Sequence, residues 1–267
     1  MIELLFALKL LVAIGVVVGL SIITEKSSPK LAGLIAGLPT GSAITLFFIG
    51  LENGADFASV SAIYNMEGIV AMLSVLFIYY KTSAAFKRHG LALSAIFSVA
   101  GYFVAIYLLH FLNLNAVGAV LLPLAAIVLS TYLFREIRDS KVTERIRLGF
   151  GVLFARAVAA AAIILAVIGT AGLAGPEWAG LFTAFPTTTF PLILIIHYTY
   201  GEKQVHTIIK HFPVGLASLI AYSLVVSLAY PVIGIYYGTA AAFASAFLVC
   251  IFIYLLHMQK GRQFLPG

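Results

Sequence analysis

Long apolar runs follow one another along the chain, separated by short segments of polar or small residues. A helix rises 1.5 Å per residue, so about 20 apolar residues cross a hydrocarbon core roughly 30 Å thick. Nine runs have that length, near 4–24, 31–50, 59–80, 91–112, 115–134, 148–170, 178–198, 211–230 and 233–257. Stretches such as Ala157-Val158-Ala159-Ala160-Ala161-Ala162-Ile163-Ile164 do not alternate apolar with polar residues, which argues against the strands of a membrane β-barrel. The pattern predicts an all-α integral membrane protein with nine transmembrane helices. Glu3 stands where a signal peptide would be basic and Lys9 interrupts the first run, so that run is expected to be a span rather than a cleaved leader.

Composition sharpens this picture. Hydrophobic residues make up 62% of the chain, charged residues 10%, and the mean hydropathy is +1.09, against roughly 25% charged residues in a soluble domain. A soluble multi-domain enzyme is excluded. Cys250 is the only cysteine, so neither a disulfide framework nor a cysteine metal site is available. With nine spans, fourteen of the sixteen Lys and Arg residues fall in loops on one face and none on the other. The positive-inside rule makes that face cytoplasmic, with the N-terminus outside and the C-terminus inside. The formal net charge of +6 is then an orientation signal, and the expected partner is the lipid bilayer, with no nucleic acid. The stretch from Arg135 to Arg147 reads as a solvated cytoplasmic connector.

Shifting the chain against itself by 147 residues brings Pro29 onto Pro176, Ala32-Gly33-Leu34 onto Ala179-Gly180-Leu181, and Pro39-Thr40 onto Pro186-Thr187. Gly54 meets Gly201, Gly68 meets Gly215, Ile106 to His110 meets Ile253 to His257, and Lys9 meets Arg156. Shared hydrophobicity does not align prolines, a histidine and the only two basic residues inside spans at one ungapped offset. The shift carries the first span onto the sixth, so two four-helix repeats, 1–112 and 148–259, flank a linker helix and connector at 113–147, with the second unit running to 267. The offset of five spans is odd, which turns the second copy upside down. Inverted repeats of this kind recur in secondary transporters.

The stretch Ala179-Gly180-Leu181-Phe182-Thr183-Ala184-Phe185-Pro186-Thr187, followed by His197-Tyr198-Thr199-Tyr200-Gly201-Glu202, resembles the small GlpM-type inner-membrane proteins, whose four-span unit is about as long as one repeat. The chain resembles two such units fused, mainly over 148–259, and the first repeat departs from the motif with Gly50 where the second has His197. The resemblance implies a bacterial-type inner membrane and pairing of opposite units. It implies no substrate and no catalytic residue.

Pro39 and Pro186 lie about halfway along their runs, where proline removes a backbone donor and breaks a helix. Thr40, Gly41 and Ser42 follow the first, and Thr187, Thr188 and Thr189 the second, with Pro191 restarting the helix. These hydroxyls are expected to cap the second half-helices, whose N–H groups and dipoles offer an anion site near the midplane. Carbonyls freed ahead of each proline are an alternative seat for Na⁺ or an ammonium group, and a plain healed kink is the simplest reading of all. Lys9 and Arg156 are expected to form a matched pair of anion-attracting positions. Glu67 is the carboxylate within a span and the candidate carrier of a coupling proton, unless the third span starts later and leaves it in an outer vestibule beside Tyr64 and Asn65. The six histidines show no metal-ligand spacing; His206 and His211, with Lys210, read as a solvated approach to the eighth span, and His110 and His257 as interfacial anchors. Gly33 and Gly37 read as helix packing.

No protease constellation or phosphate-binding loop is present in the sequence, so an enzyme is not expected, nor a cofactor beyond a coupling H⁺ or Na⁺. The function expected is ion-coupled secondary transport of a small anionic solute or anionic lipid headgroup across the inner membrane, by alternating access between the repeats. The alternatives are a lipid-headgroup flippase or scramblase and a non-transporting partner of an envelope biosynthesis complex.

Overall fold

The computed structural model describes residues 2–26, 35, 38–86, 90–112, 114–139 and 149–262. Every regular element among them is a helix: α1 (Ile2–Lys26), α2 (Thr40–Asn53), α3 (Ala55–Ala85), α4 (Gly90–His110), α5 (Ala116–Leu133), α6 (Phe150–Thr183), α7 (Thr189–Tyr200) and α8 (Glu202–Arg262). Four segments are long and apolar enough to cross a membrane, Ala55–Ala85, Gly90–His110, Leu153–Thr183 and Glu202–Leu255. Large apolar side chains such as Phe103, Leu108, Val128, Leu129, Phe247 and Leu248 stand exposed on the outside of the bundle. Helices that satisfy their own backbone and present such side chains outward suit hydrocarbon, not water. The make-up is that of an α-helical membrane-embedded protein.

Pro29, Lys30, Ala32, Gly33, Leu34, Gly37, Lys87, Arg88, His89, Lys141, Arg145 and Arg147 lie outside the described residues, as do the side chains of Lys26, His257, Lys260 and Arg262.

The chain reverses direction at single glycines. Gly54, Gly175, Gly201 and Gly234 have φ of 97°, 84°, 84° and 79°, with ψ of 163°, 165°, 173° and 172°. A Cβ disfavours that conformation, and glycine enters it freely. The reversals at Gly175 and Gly234 lie within α6 and α8 and divide each into two arms. The arms of α8 run antiparallel: Tyr222 meets Phe243 with ring centroids 5.1 Å apart, and Ser245 Oγ donates to the Ala221 carbonyl at 3.2 Å. Loops expected between the sixth and seventh runs, and between the eighth and ninth, are therefore one-residue turns.

Helix α8 begins at Glu202, nine residues before the eighth apolar run, because its polar first turns find partners. Lys210 Nζ donates to the Ile137 carbonyl at 2.7 Å, and Asp139 lies 3.4 Å from Lys210 and 3.0 Å from His211. These contacts, with Phe134 and Ile137 buried beside them, pin the segment after α5 onto α8. The expected solvated approach at Lys210 and His211 is instead a docking site within the protein.

Helix α3 is the hub and packs against α2, α4, α5, α6 and α8. Glycines let it approach α6 closely. A Cβ on Gly180 would sit 2.2 Å from the Ser61 carbonyl oxygen, and one on Gly68 would sit 2.5 Å from Ala184 Cβ.

Candidate functional site

Proline 39 has φ −72° and ψ 32°, close to the inverse γ-turn that its ring favours. The turn closes by Thr40 N donating to the Leu38 carbonyl at 2.7 Å, and α2 starts from it. The second break repeats the pattern at the same offset of 147. Thr187 N donates to Phe185 O at 2.6 Å; Leu38 N to Ile35 O and Phe185 N to Phe182 O are both 3.1 Å; Ala43 N to Pro39 O and Phe190 N to Pro186 O are both 2.7 Å. The helical backbone is interrupted over residues 184–188, between the end of α6 and the start of α7.

The two breaks touch. Thr40 Oγ1 and Thr188 Oγ1 are 3.3 Å apart, and Ser42 Oγ donates to the Thr183 carbonyl at 2.8 Å, repairing one of the acceptors that precede Pro186. Gly41 is the contact point, because a Cβ there would lie 2.1 Å from Thr187 Oγ1. The N-termini of α2 and α7 thus converge, 14 and 12 residues long, each with a positive dipole end; Thr40 N and Phe190 N are taken by the Leu38 and Pro186 carbonyls, and Pro191 has no N–H to offer. Neither helix has a side-chain cap hydrogen bond. Their sequence positions led us to expect caps, but no side chain caps either helix from Pro39 or Thr188; Thr40 and Thr188 instead bridge one half-helix to the other.

Arg156, on the first arm of α6, completes the site. It is 3% exposed, and its Nε and Nη2 donate to the Thr188 carbonyl at 3.4 and 3.2 Å. Between the breaks lies a cavity of about 10 Å³, lined by Leu38, Gly41, Ser42, Phe185, Thr187 and Thr188 among others. That volume is at the threshold for a single water. The buried Thr187 hydroxyl at its edge has no hydrogen-bond partner. Two helix N-termini and an unsatisfied hydroxyl meet at this small, partly open pocket, whose other walls are apolar (Met72, Phe212, Leu216, Leu219). Arg156 is held on the Thr188 carbonyl beside it rather than in its lining, and the positive helix ends with that nearby charge suit an anion. No family model, curated protein or solved structure matches the chain.

Around this centre runs a polar network that sequence reasoning missed. Ser223 Oγ donates to Asn65 Oδ1 at 2.8 Å, Asn65 Nδ2 donates to Thr183 Oγ1 at 2.7 Å, and Thr183 Oγ1 donates to the Gly180 carbonyl at 2.7 Å. It ties α8 and α3 to the end of α6, one residue from the break. Tyr102 of α4 donates to the Leu181 carbonyl in the same turn.

The remaining expected site residues lie apart from the breaks. Glu67 is 1% exposed and twelve residues into α3, a depth of about 18 Å along the helix. It and Asn65 are buried in the bundle rather than set in a vestibule, and Glu67 Oε2 has no hydrogen-bond partner. Lys9 donates to the Glu52 carboxylate near the end of α2. At one end of α3, His110 stacks on Trp178 with centroids 4.4 Å apart and its Nδ1 is 3.4 Å from Glu177. At the other, Tyr79 and Ser83 hydrogen-bond His197 and His206, each at 2.8 Å. Among the described residues no cluster of three His, Cys, Asp or Glu side chains is placed to hold a metal ion.

Proposed function

We propose that the chain is a multi-pass inner-membrane secondary transporter that carries an anion by alternating access. It crosses the membrane nine times with its N-terminus outside, as two inverted repeats, 1–112 and 148–259, in the manner of two GlpM-type units. The observation that carries the proposal is Arg156 on the Thr188 carbonyl where the N-termini of α2 and α7 meet. It favours an anionic cargo over a cationic one. A cation seated on that carbonyl would stand about 5 Å from a permanent positive charge, a repulsion of roughly 3–4 kcal/mol at an effective dielectric of 20, and it would face two positive helix ends. The same three features attract an anion.

The recurrence of the backbone pattern of Pro39 at Pro186 supports two equivalent halves that exchange shapes, and the cavity of about 10 Å³ fits a contracted state of the site between them. Glu67 supplies the coupling proton. Its orphan oxygen is an acceptor with no donor in the protein, so proton uptake is the step it can contribute.

Proteoliposome uptake tests the reading. A panel of small anions and short-chain phosphates should yield at least one that enters faster than in empty vesicles, with the rate lost in Arg156→Gln. Arg156-independent uptake would refute the central anion site. Single cysteines at Glu52 and Lys203 should label from outside and inside respectively, and the reverse would refute the orientation.

A further inference from the structure

Two apolar grooves open on the outer surface of the bundle, one beside each break. The first, about 370 Å³, has Leu38, Pro39 and Thr40 on one wall and Ala246, Phe247 and Cys250 from the second arm of α8 on the other. The second, about 590 Å³, has Phe182 and Phe185 on one wall and Val99 and Phe103 of α4 on the other, with Ala166 of α6 along its length. Their linings correspond at the offset of 147: Ile35 with Phe182, Leu38 with Phe185, Ala246 with Val99, and Cys250 with Phe103. Each groove therefore lies between the broken helix of one repeat and the last helix of the other.

The central cavity is lined by Leu38, which also lines the first groove, and by Phe185, which also lines the second. Each is the residue before its break proline. One apolar side chain on either side thus separates a pocket suited to an anion from a groove that faces the bilayer. Both volumes fall within the roughly 300–1,000 Å³ of small-molecule sites, and at membrane depth an apolar groove takes hydrocarbon rather than water.

From this arrangement we infer that the central site is loaded from the bilayer and that its cargo is an anionic lipid. The phosphate headgroup sits between the N-termini of α2 and α7 beside Arg156, and the chain lies in one groove. Leu38 and Phe185 are lateral gates. The pseudo-equivalence of the grooves gives one gate for each leaflet, so alternate opening moves the headgroup across while the tail stays in hydrocarbon. This inference rests on the anion site proposed above and names the class of anion.

Native Cys250 makes the test direct, since it is the only cysteine, is half-buried and lines the first groove. The protein in phosphatidylcholine vesicles is alkylated with a bilayer-soluble maleimide, with and without phosphatidic acid or inorganic phosphate. Phosphatidic acid should slow alkylation at least fivefold in the native protein and not in Arg156→Gln, and inorganic phosphate should leave the rate unchanged. In a parallel assay, fluorescent phosphatidic acid should cross the bilayer, and Ala166→Trp, an exposed substitution that fills the second groove, should slow it at least tenfold. Equal slowing by added phosphatidylcholine, or indifference of lipid movement to Ala166→Trp, would reduce the grooves to ordinary lipid contact and overturn the inference. Arg156-dependent uptake of inorganic phosphate without lipid movement would overturn lateral loading and leave the central anion site standing. Indifference of both phosphate and phosphatidic acid to Arg156→Gln would overturn the two together.

Discussion

Lys9 and Arg156 fall at the one sequence offset of 147, and the chain uses them differently. Lys9 of α1 turns to the Glu52 carboxylate at the far end of α2, whereas Arg156 of α6 turns to the Thr188 carbonyl at the near end of α7. One charge is answered by the end of α2 away from the break; the other is buried against the second break. A flexible ammonium reaches a carboxylate as a point charge, and a planar guanidinium grips a carbonyl through two donors. The shared offset has thus not given the two positions the same chemistry, and the positive side chain at the breaks comes from Arg156 alone of the pair.

The largest effect that separates the two is on anion binding. Arg156→Gln should weaken it by about 2–4 kcal/mol, on the order of 100-fold, while Lys9→Gln stays within about threefold; binding isotherms on equal amounts of folded protein decide. A greater loss in Lys9→Gln would reverse the comparison. The breaks should differ next. Gly41→Ala forces a methyl to 2.1 Å from Thr187 Oγ1, an overpacking cost of about 1–3 kcal/mol, read as a lowered melting temperature in detergent. Thr187→Ala in the same chain removes that oxygen and should restore most of the loss. Thr188, equivalent to Gly41, should tolerate alanine at the cost of a single hydroxyl hydrogen bond, about 0.5–1.5 kcal/mol.

Glu67 comes third. Uptake should fall as pH rises by up to about tenfold per unit, the limit for one coupled proton, and Glu67→Gln should flatten that slope while the protein still folds. An unchanged slope would move the coupling elsewhere. The smallest effect is on stability at Lys9. Breaking its pair with the quarter-exposed Glu52 should cost about 0.5–1 kcal/mol, barely visible in a thermal melt.

The break at Pro186 was legible in the sequence, because proline and the residues after it have few structural uses and recurred at a fixed offset, whereas its contact with Thr40 came only with the packing. The capping role of the threonines was not, since a hydroxyl that begins a helix reads the same whether it turns to its own backbone or to a neighbour 148 residues away. Asn65 was read only as a vestibule neighbour of Glu67, and Thr183 and Ser223 were given no role, for the same reason: small polar residues are ordinary in membrane helices, and only the packing of α3 on α6 and α8 brings them into one network. Glu52 read as part of a loop, so Lys9 had no visible partner. The grooves left no mark at all, as their Phe, Ala and Val linings are the residues any lipid-facing helix carries.

The one-residue reversals have a mechanical consequence. A connection of several residues absorbs movement, but Gly54 and Gly201 leave no slack: in each, the glycine N–H is held by a carbonyl of the preceding turn, Gly50 and His197, at 2.9 and 3.0 Å. Helix α2 must therefore swing with the start of α3, and α7 with the start of α8, each pair acting as a rigid elbow. Displacement of one elbow is delivered to its other end, at the γ-turns of Pro39 and Pro186, where the helical hydrogen-bond ladder is interrupted. Lengthening either elbow by a few Gly-Ser residues would leave both arms intact and disconnect the lever from the joint.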